Sequence, residues 1–251
     1  MKKLILSLGE VPQTGRTSFC EILHGLLRQK NVPHLLAHTD VGRPDGLSSS
    51  CYLDAGSKLR PEDFIALLDS APVVVFDMAT GETEDLLELY ERNDIGEVLA
   101  EMDTSVTLAL SATRNRQSEA TVLRVAEIFR HDADYLILRT HPEESNWLLP
   151  NAKRAMHHLG ATEVPVPILS DPLVSFLNGS RAALPQFLGR RAGVPRALQP
   201  LLGHWEIDYI TALEKVSEHL WPTECAQATP MLGSSRSNAA QRNRRIVPMH
   251  R

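Results

Sequence analysis

The stretch LILSLGEVPQTGRTSF, residues 4–19, decides the fold. Residues 4–8 are mostly apolar and are typical of a buried strand, whereas residues 17–29 have the apolar spacing of an amphipathic helix. The segment that joins them, 9–18, includes Gly15, Arg16 and Thr17. Backbone N–H groups at the start of a helix point toward a bound anion, so a strand, a loop and a helix in this order can form a phosphate-binding site.

Apolar segments and helical patterns continue to alternate along the chain. The predicted strands are 4–8, 33–37, 73–76, 106–110 and 135–138, with a last short strand within 164–168. The predicted helices are 17–29, 61–68, 83–102, 117–130 and 205–220, with short helical pieces at 173–177 and 184–188. This alternation predicts an α/β fold of three layers, in which a mostly parallel sheet carries helices on both faces.

Composition and charge exclude several classes of protein. The chain has 251 residues, of which 43% are hydrophobic and 23% charged, and its formal net charge is −5. These values exclude a disordered or fibrous chain and a general nucleic-acid coat. Three widely spaced cysteines without a C-x-x-C motif support neither a disulfide framework nor a zinc ribbon. Because no segment reads as a signal peptide or a membrane span, we expect a cytoplasmic protein.

The loop differs from the usual phosphate-binding pattern, G-x-x-x-x-G-K-[ST], at two positions. Gly15, Arg16 and Thr17 stand where G-K-[ST] is expected, so arginine replaces lysine, and Glu10 occupies the position of the first glycine. Arg16 keeps the positive charge but has a larger, planar head. The candidate nucleotide-binding residues are Gln13, Thr14, Gly15, Arg16, Thr17 and Ser18.

Two acidic residues follow predicted strands. Asp40 comes shortly after 33–37, and Asp77 comes directly after 73–76. The carboxyl ends of parallel strands meet at one edge of a sheet, where ligands bind, so we expect both acids to face the phosphate loop. A hydroxyl at the helix start and a carboxylate at a strand end are ligands suited to Mg²⁺, which makes Thr17 and Asp77 candidate metal residues.

The order of these motifs resembles the ParA/MinD family of P-loop ATPases, and within it the plasmid transfer and stability proteins of the TraL/StbB/MobD type. The likeness extends over roughly residues 3–220. It implies that ATP or ADP binds with Mg²⁺, that Asp40 helps to place the attacking water, and that Thr17 and Asp77 hold the ion. It also implies a homodimer that works with other plasmid transfer or stability proteins.

Several positions differ from the family pattern. The signature lysine of the family aligns with Val11, its paired glycines with Pro12 and Gln13, and the first acid of its Asp-x-Asp motif with His38. Residues 139–141 stand where a base-contacting asparagine is expected. The alternative to an ATPase is therefore a non-catalytic adaptor that keeps the fold and binds partner proteins. A small-molecule P-loop kinase is a third reading.

Residues 1–221 are predicted to form one domain, followed by a disordered basic tail at 222–251. The tail has no apolar periodicity and carries five arginines against one acid. These charges would allow weak, salt-sensitive contact with DNA through counterion release.

Removal of residues 222–251 should leave the melting temperature nearly unchanged, because no periodic apolar face is lost with them. Thermal denaturation of the full and shortened chains checks this prediction. A large fall in the melting temperature would show instead that the tail packs on the domain.

Overall fold

The computed structural model describes residues 1–11, 15–39, 50–52, 60–140, 148–180, 184, 187 and 191–222. The strands are β1 (Lys2–Leu8), β2 (His34–His38), β3 (Ser50–Tyr52), β4 (Val73–Asp77), β5 (Thr104–Ser111), β6 (Ala133–Arg139) and β7 (Thr162–Pro165). The helices are α1 (Arg16–Gln29), α2 (Pro61–Ser70), α3 (Thr83–Arg92), α4 (Ile95–Glu101), α5 (Arg116–Phe129), α6 (Pro150–His158), α7 (Asp171–Ser180) and α8 (Gln199–Glu214). A 3₁₀ turn, Ser217–His219, follows α8. None of the described helices is both long and apolar enough to cross a bilayer.

The seven strands of the described chain form one sheet in the order β3-β2-β4-β1-β5-β6-β7. Every neighbouring pair is parallel. The first strand, β1, lies at the centre between β4 and β5 and is therefore buried on both faces. This position explains why its residues are apolar without strict alternation.

Two apolar cores lie on opposite faces of the sheet. Leu4, Leu6 and Leu8 of β1 belong to the core that the helices α2 to α6 cover. Ile5 belongs to the other core, which is covered by α1, α7 and α8. The predicted three-layer α/β fold is thus confirmed, and α1 lies directly over the central strands.

The prediction of one helix over 83–102 is wrong. The chain forms α3 and α4 instead, and the break falls at Asn93 and Asp94. Asp94 has a φ of +48°, in the left-handed region, where a helix cannot continue. Asparagine and aspartate are poor helix formers that tolerate this conformation, so the local residue types explain the break.

The predicted helix over 205–220 has a different extent and a different buried face. It begins at Gln199, with Pro200 in its first turn, and it ends at Glu214. Ile207 is 59% exposed although it is strongly apolar, whereas Trp205 and Tyr209 are buried. Trp205 donates a hydrogen bond from Nε1 to the Pro167 carbonyl at 2.8 Å, which is consistent with the orientation of the helix.

Other elements were predicted less completely. The short strand β3 and the helix α6 had no counterpart in the predictions, and the last strand, predicted within 164–168, occupies Thr162–Pro165. The helical piece expected at 184–188 lies largely outside the described residues, as does the tail after residue 222.

Two histidines lie in contact where α1 packs against β2, and of these His24 is buried and His34 is half-buried. His34 Nε2 lies 2.8 Å from His24 Nδ1, and His34 Nδ1 lies 2.7 Å from the Val32 carbonyl oxygen. Burial, and then the neighbouring His34, lowers the pKa of His24 from 6.5 to about 4. Burial also lowers the pKa of His34. Both histidines are therefore neutral in the folded protein near pH 7.

The free energy of unfolding should fall by about 2 kcal/mol between pH 7 and pH 5 because of His24 alone. Below pH 6.5 the unfolded chain takes up a proton at this histidine, whereas the folded chain does so only near pH 4. Urea unfolding at the two pH values measures the change, and His24→Leu should reduce it. An identical pH dependence in the wild type and the variant would contradict this assignment.

Candidate phosphate and metal site

Three polar side chains lie side by side where β2, β4 and β1 end. The register pairs His38 with Asp77 and Asp77 with Ser7. Ile5 and Val75 pack in the core under α1, and side chains alternate along a strand, so Ser7 and Asp77 project to this same face. All three are buried, with exposures of 7% for His38, 5% for Asp77 and 0% for Ser7. We call these three residues the polar row.

The first turn of α1 contacts this row. Thr17 donates a hydrogen bond from Oγ1 to Asp77 Oδ2 at 3.2 Å. His38 Nδ1 lies 3.6 Å from the same carboxylate oxygen. The structure therefore brings together the two residues that the sequence selected as metal ligands, and it adds His38 beside them. Their role in binding an ion stays a prediction.

Gly15 allows α1 to begin this close to the strand ends. Its φ is +78°, and its carbonyl accepts the first helical hydrogen bond, from the Phe19 N–H, at 2.8 Å. A Cβ at this position would lie 2.8 Å from Val166 Cγ1 and 3.2 Å from Thr140 Cγ2. Both the conformation and the space require glycine here. Since Gly15 has no capping side chain, the helix start can offer backbone N–H groups to an anion.

Arg16 points away from the first turn of its own helix. Its Nη1 donates to the Met78 carbonyl at 2.9 Å, and its Nη2 donates to Thr80 Oγ1 at 2.6 Å. The side chain is only 8% exposed. The residue that replaces the usual lysine thus connects the start of α1 to the segment that follows β4, residues 78–83.

Two threonines that the sequence analysis did not select hold the same segment. Thr39 Oγ1 accepts a hydrogen bond from the Ala79 N–H at 2.7 Å. Thr83 Oγ1 accepts one from the Gly9 N–H at 3.4 Å. Threonines directly after a strand or at a helix start often bond to backbone groups in this way. The positions of these two threonines in the sequence therefore indicated such bonds. Segment 78–83 is therefore attached to the ends of β1 and β2 and to α1.

Other predicted site residues are placed differently or are not described. Ser18 is half-buried in the first turn of α1, and Glu10 lies with Arg124 in the lining of a cavity of about 510 Å³ beside α3 and α5. Gln13, Thr14 and Asp40 lie outside the described residues. Their roles in nucleotide binding and catalysis stay predictions.

Ser7 provides a test of whether a ligand fits at the polar row. Its Oγ is buried and has no hydrogen-bond partner among the described residues. A buried hydroxyl without a partner costs about 1–3 kcal/mol, so a water or an ion shell at this place would remove a penalty. The Thr17 hydroxyl and the Asp77 carboxylate are oxygen donors of the kind that a divalent ion prefers. The residues present therefore fit a hydrated divalent ion.

Comparison with solved structures finds chains of similar fold at low sequence identity, one of which is described here. The chain is similar to the septum site-determining protein MinD of Pyrococcus horikoshii, solved as a complex with Mg-ADP, at 11% sequence identity and a TM-score of 0.43. The match covers 86% of this chain and 98% of that chain. No protein-family model matches the chain, and no curated protein matches it significantly in sequence.

Arg16→Lys should lower the free energy of unfolding by about 1–3 kcal/mol, because a lysine cannot reproduce both guanidinium bonds to residues 78 and 80. Urea denaturation measures the difference. Arg114→Lys, at an exposed position, is the matched control and should leave stability unchanged. Equal stability of both variants would show that the two bonds contribute nothing.

Proposed function

We propose that this chain is a nucleotide-binding protein of the ParA/MinD kind that binds ATP or ADP, with a divalent ion, at loop 9–18. The contact between Thr17 Oγ1 and Asp77 Oδ2, at the N-terminus of α1, carries this proposal. A hydroxyl from the helix start and a carboxylate from the adjacent strand are the protein groups that hold the ion of a bound nucleotide in P-loop proteins. Ser7, buried and without a partner in the described chain, supports a ligand there.

The proposed phosphate position is the start of α1. The positive end of the helix dipole and the N–H groups of the first turn favour a negative charge at this point. The left-handed conformation of Gly15 lets the backbone turn there without a side chain. The buried Arg16 adds a positive charge nearby.

Segment 78–83 gives this site a route to partner proteins. Arg16 attaches the segment to α1, and Thr39 attaches it to the end of β2. A nucleotide that shifts either attachment would move the segment, as phosphates reorder loops in other nucleotide switches. By its resemblance, the chain would form a homodimer and would act with other proteins in plasmid transfer or stability.

The second candidate is a non-catalytic adaptor with the same fold. The position of Arg16 favours it, because two of its N–H groups are already bound to Met78 and Thr80. An arginine held in this way is less free to stabilise the charge that develops during phosphoryl transfer. The adaptor would bind nucleotide or partner proteins without turnover.

Calorimetric titration with Mg-ADP and Mg-ATP tests nucleotide binding. The wild type should bind, and Thr17→Val should weaken binding by about tenfold or more, because it removes the hydroxyl that contacts Asp77. Thr17→Ser keeps a hydroxyl and should bind nearly as well as the wild type. Absence of binding to the wild type at millimolar nucleotide would contradict the proposal.

Phosphate release separates the ATPase from the adaptor. Release that is lost in Asp40→Ala, with ADP binding retained, would support the catalytic role predicted for this acid. Release at background level in the wild type, with ADP still bound, would support the adaptor.

A further inference from the structure

The histidine in the polar row is close enough to the metal residues to bind the same ion. His38 Nδ1 lies 3.6 Å from Asp77 Oδ2, and Thr17 Oγ1 lies 3.2 Å from that oxygen. Two atoms that each bind one ion at about 2.1 Å lie roughly 3.0–3.4 Å apart for octahedral or tetrahedral angles. Small side-chain shifts would therefore allow one ion to contact both His38 and Asp77.

The surroundings of His38 are suited to a ligand. The His38 side chain is 9% exposed and therefore largely shielded from solvent, and the pairing of β2 with β4 fixes its backbone position. Ser7 lies next to Asp77 in the same row, and its Oγ is buried without a partner among the described residues. This hydroxyl is placed to exchange a hydrogen bond with a water bound to the ion. A buried, fixed nitrogen beside a carboxylate is the arrangement of a mixed nitrogen and oxygen metal site.

The protein does not supply a complete set of ligands by itself. No group of three or more His, Cys, Asp or Glu side chains that could hold a metal occurs within the described ranges. His38, Asp77 and Thr17 would leave further coordination positions for phosphate oxygens and water. The ion would therefore bind strongly only together with the nucleotide.

We propose that His38 Nδ1 is a direct ligand of the ion at this site, so that the site prefers a first-row transition-metal ion such as Mn²⁺ to Mg²⁺. Mg²⁺ is bound almost entirely by oxygen, whereas imidazole binds transition-metal ions well. This inference rests on the proposed function, because phosphate completes the ion's shell. If His38 only donates a hydrogen bond to Asp77, the preference does not follow, and the experiments below separate the two roles.

Pulsed electron paramagnetic resonance of the protein with Mn²⁺ and ADP tests the ligand directly. A bound imidazole nitrogen couples to the Mn²⁺ spin, and labelling the histidines with ¹⁵N distinguishes this coupling from that of the adenine nitrogens. The expected result is a coupling that changes with the label and disappears in His38→Asp. A spectrum that does not respond to the label would overturn the proposal.

The metal preference is measured as the ratio of ADP affinities with Mn²⁺ and with Mg²⁺. His38→Asp makes the ligands all oxygen, so it should shift this ratio toward Mg²⁺ by about tenfold or more. His157→Asp, on the exposed side of α6, is the matched control and should leave the ratio unchanged. A thermal melt of each variant establishes that it is folded.

The outcomes distinguish the two proposals. Absence of ADP binding with either ion would contradict the proposed function. ADP binding by the wild type and by His38→Asp with the same ratio would leave the nucleotide site intact and would overturn the role of His38 alone.

Discussion

The contact between the first turn of α1 and the end of β4 is the constraint on which the rest of the site depends. Gly15 lets the helix start where a Cβ would collide with Val166 and Thr140, beyond the ends of β7 and β6, and from this start Thr17 contacts Asp77. The central position of β1 places this turn over the middle of the sheet. The site therefore combines the start of α1, the Asp77 carboxylate and the buried Ser7 hydroxyl. These groups determine what the site can bind.

Arg16 extends this constraint beyond the helix. Its bonds to Met78 and Thr80 connect the start of α1 to segment 78–83, which Thr39 joins to the end of β2. A lysine in the same place would reach phosphate more easily but would make fewer fixed bonds. If phosphate binds at this helix start, as we propose, arginine in place of lysine exchanges part of the charge available to phosphate for a link between α1 and segment 78–83.

The layers of the fold could be predicted from sequence, because apolar strands and amphipathic helices alternate clearly from residue 4 to residue 138. Helix boundaries were less predictable: the break at Asp94 depends on one left-handed residue, and the exposure of Ile207 depends on how α8 packs. Within the site, the proximity of Thr17 and Asp77 followed from topology. The bonds of Arg16 did not, since they depend on the path of a loop. Ser7 is a polar residue in a strand that is buried on both faces. That pattern is itself a sequence signal for a site residue.

The most direct test is a crystal structure of the protein with ADP and a divalent ion. We expect phosphate at the N-terminus of α1 and the ion within about 2.2 Å of Thr17 Oγ1, or one water away from it, with Asp77 beside it. A nucleotide bound elsewhere, or an α1 N-terminus still in contact only with protein at saturating ADP, would contradict it.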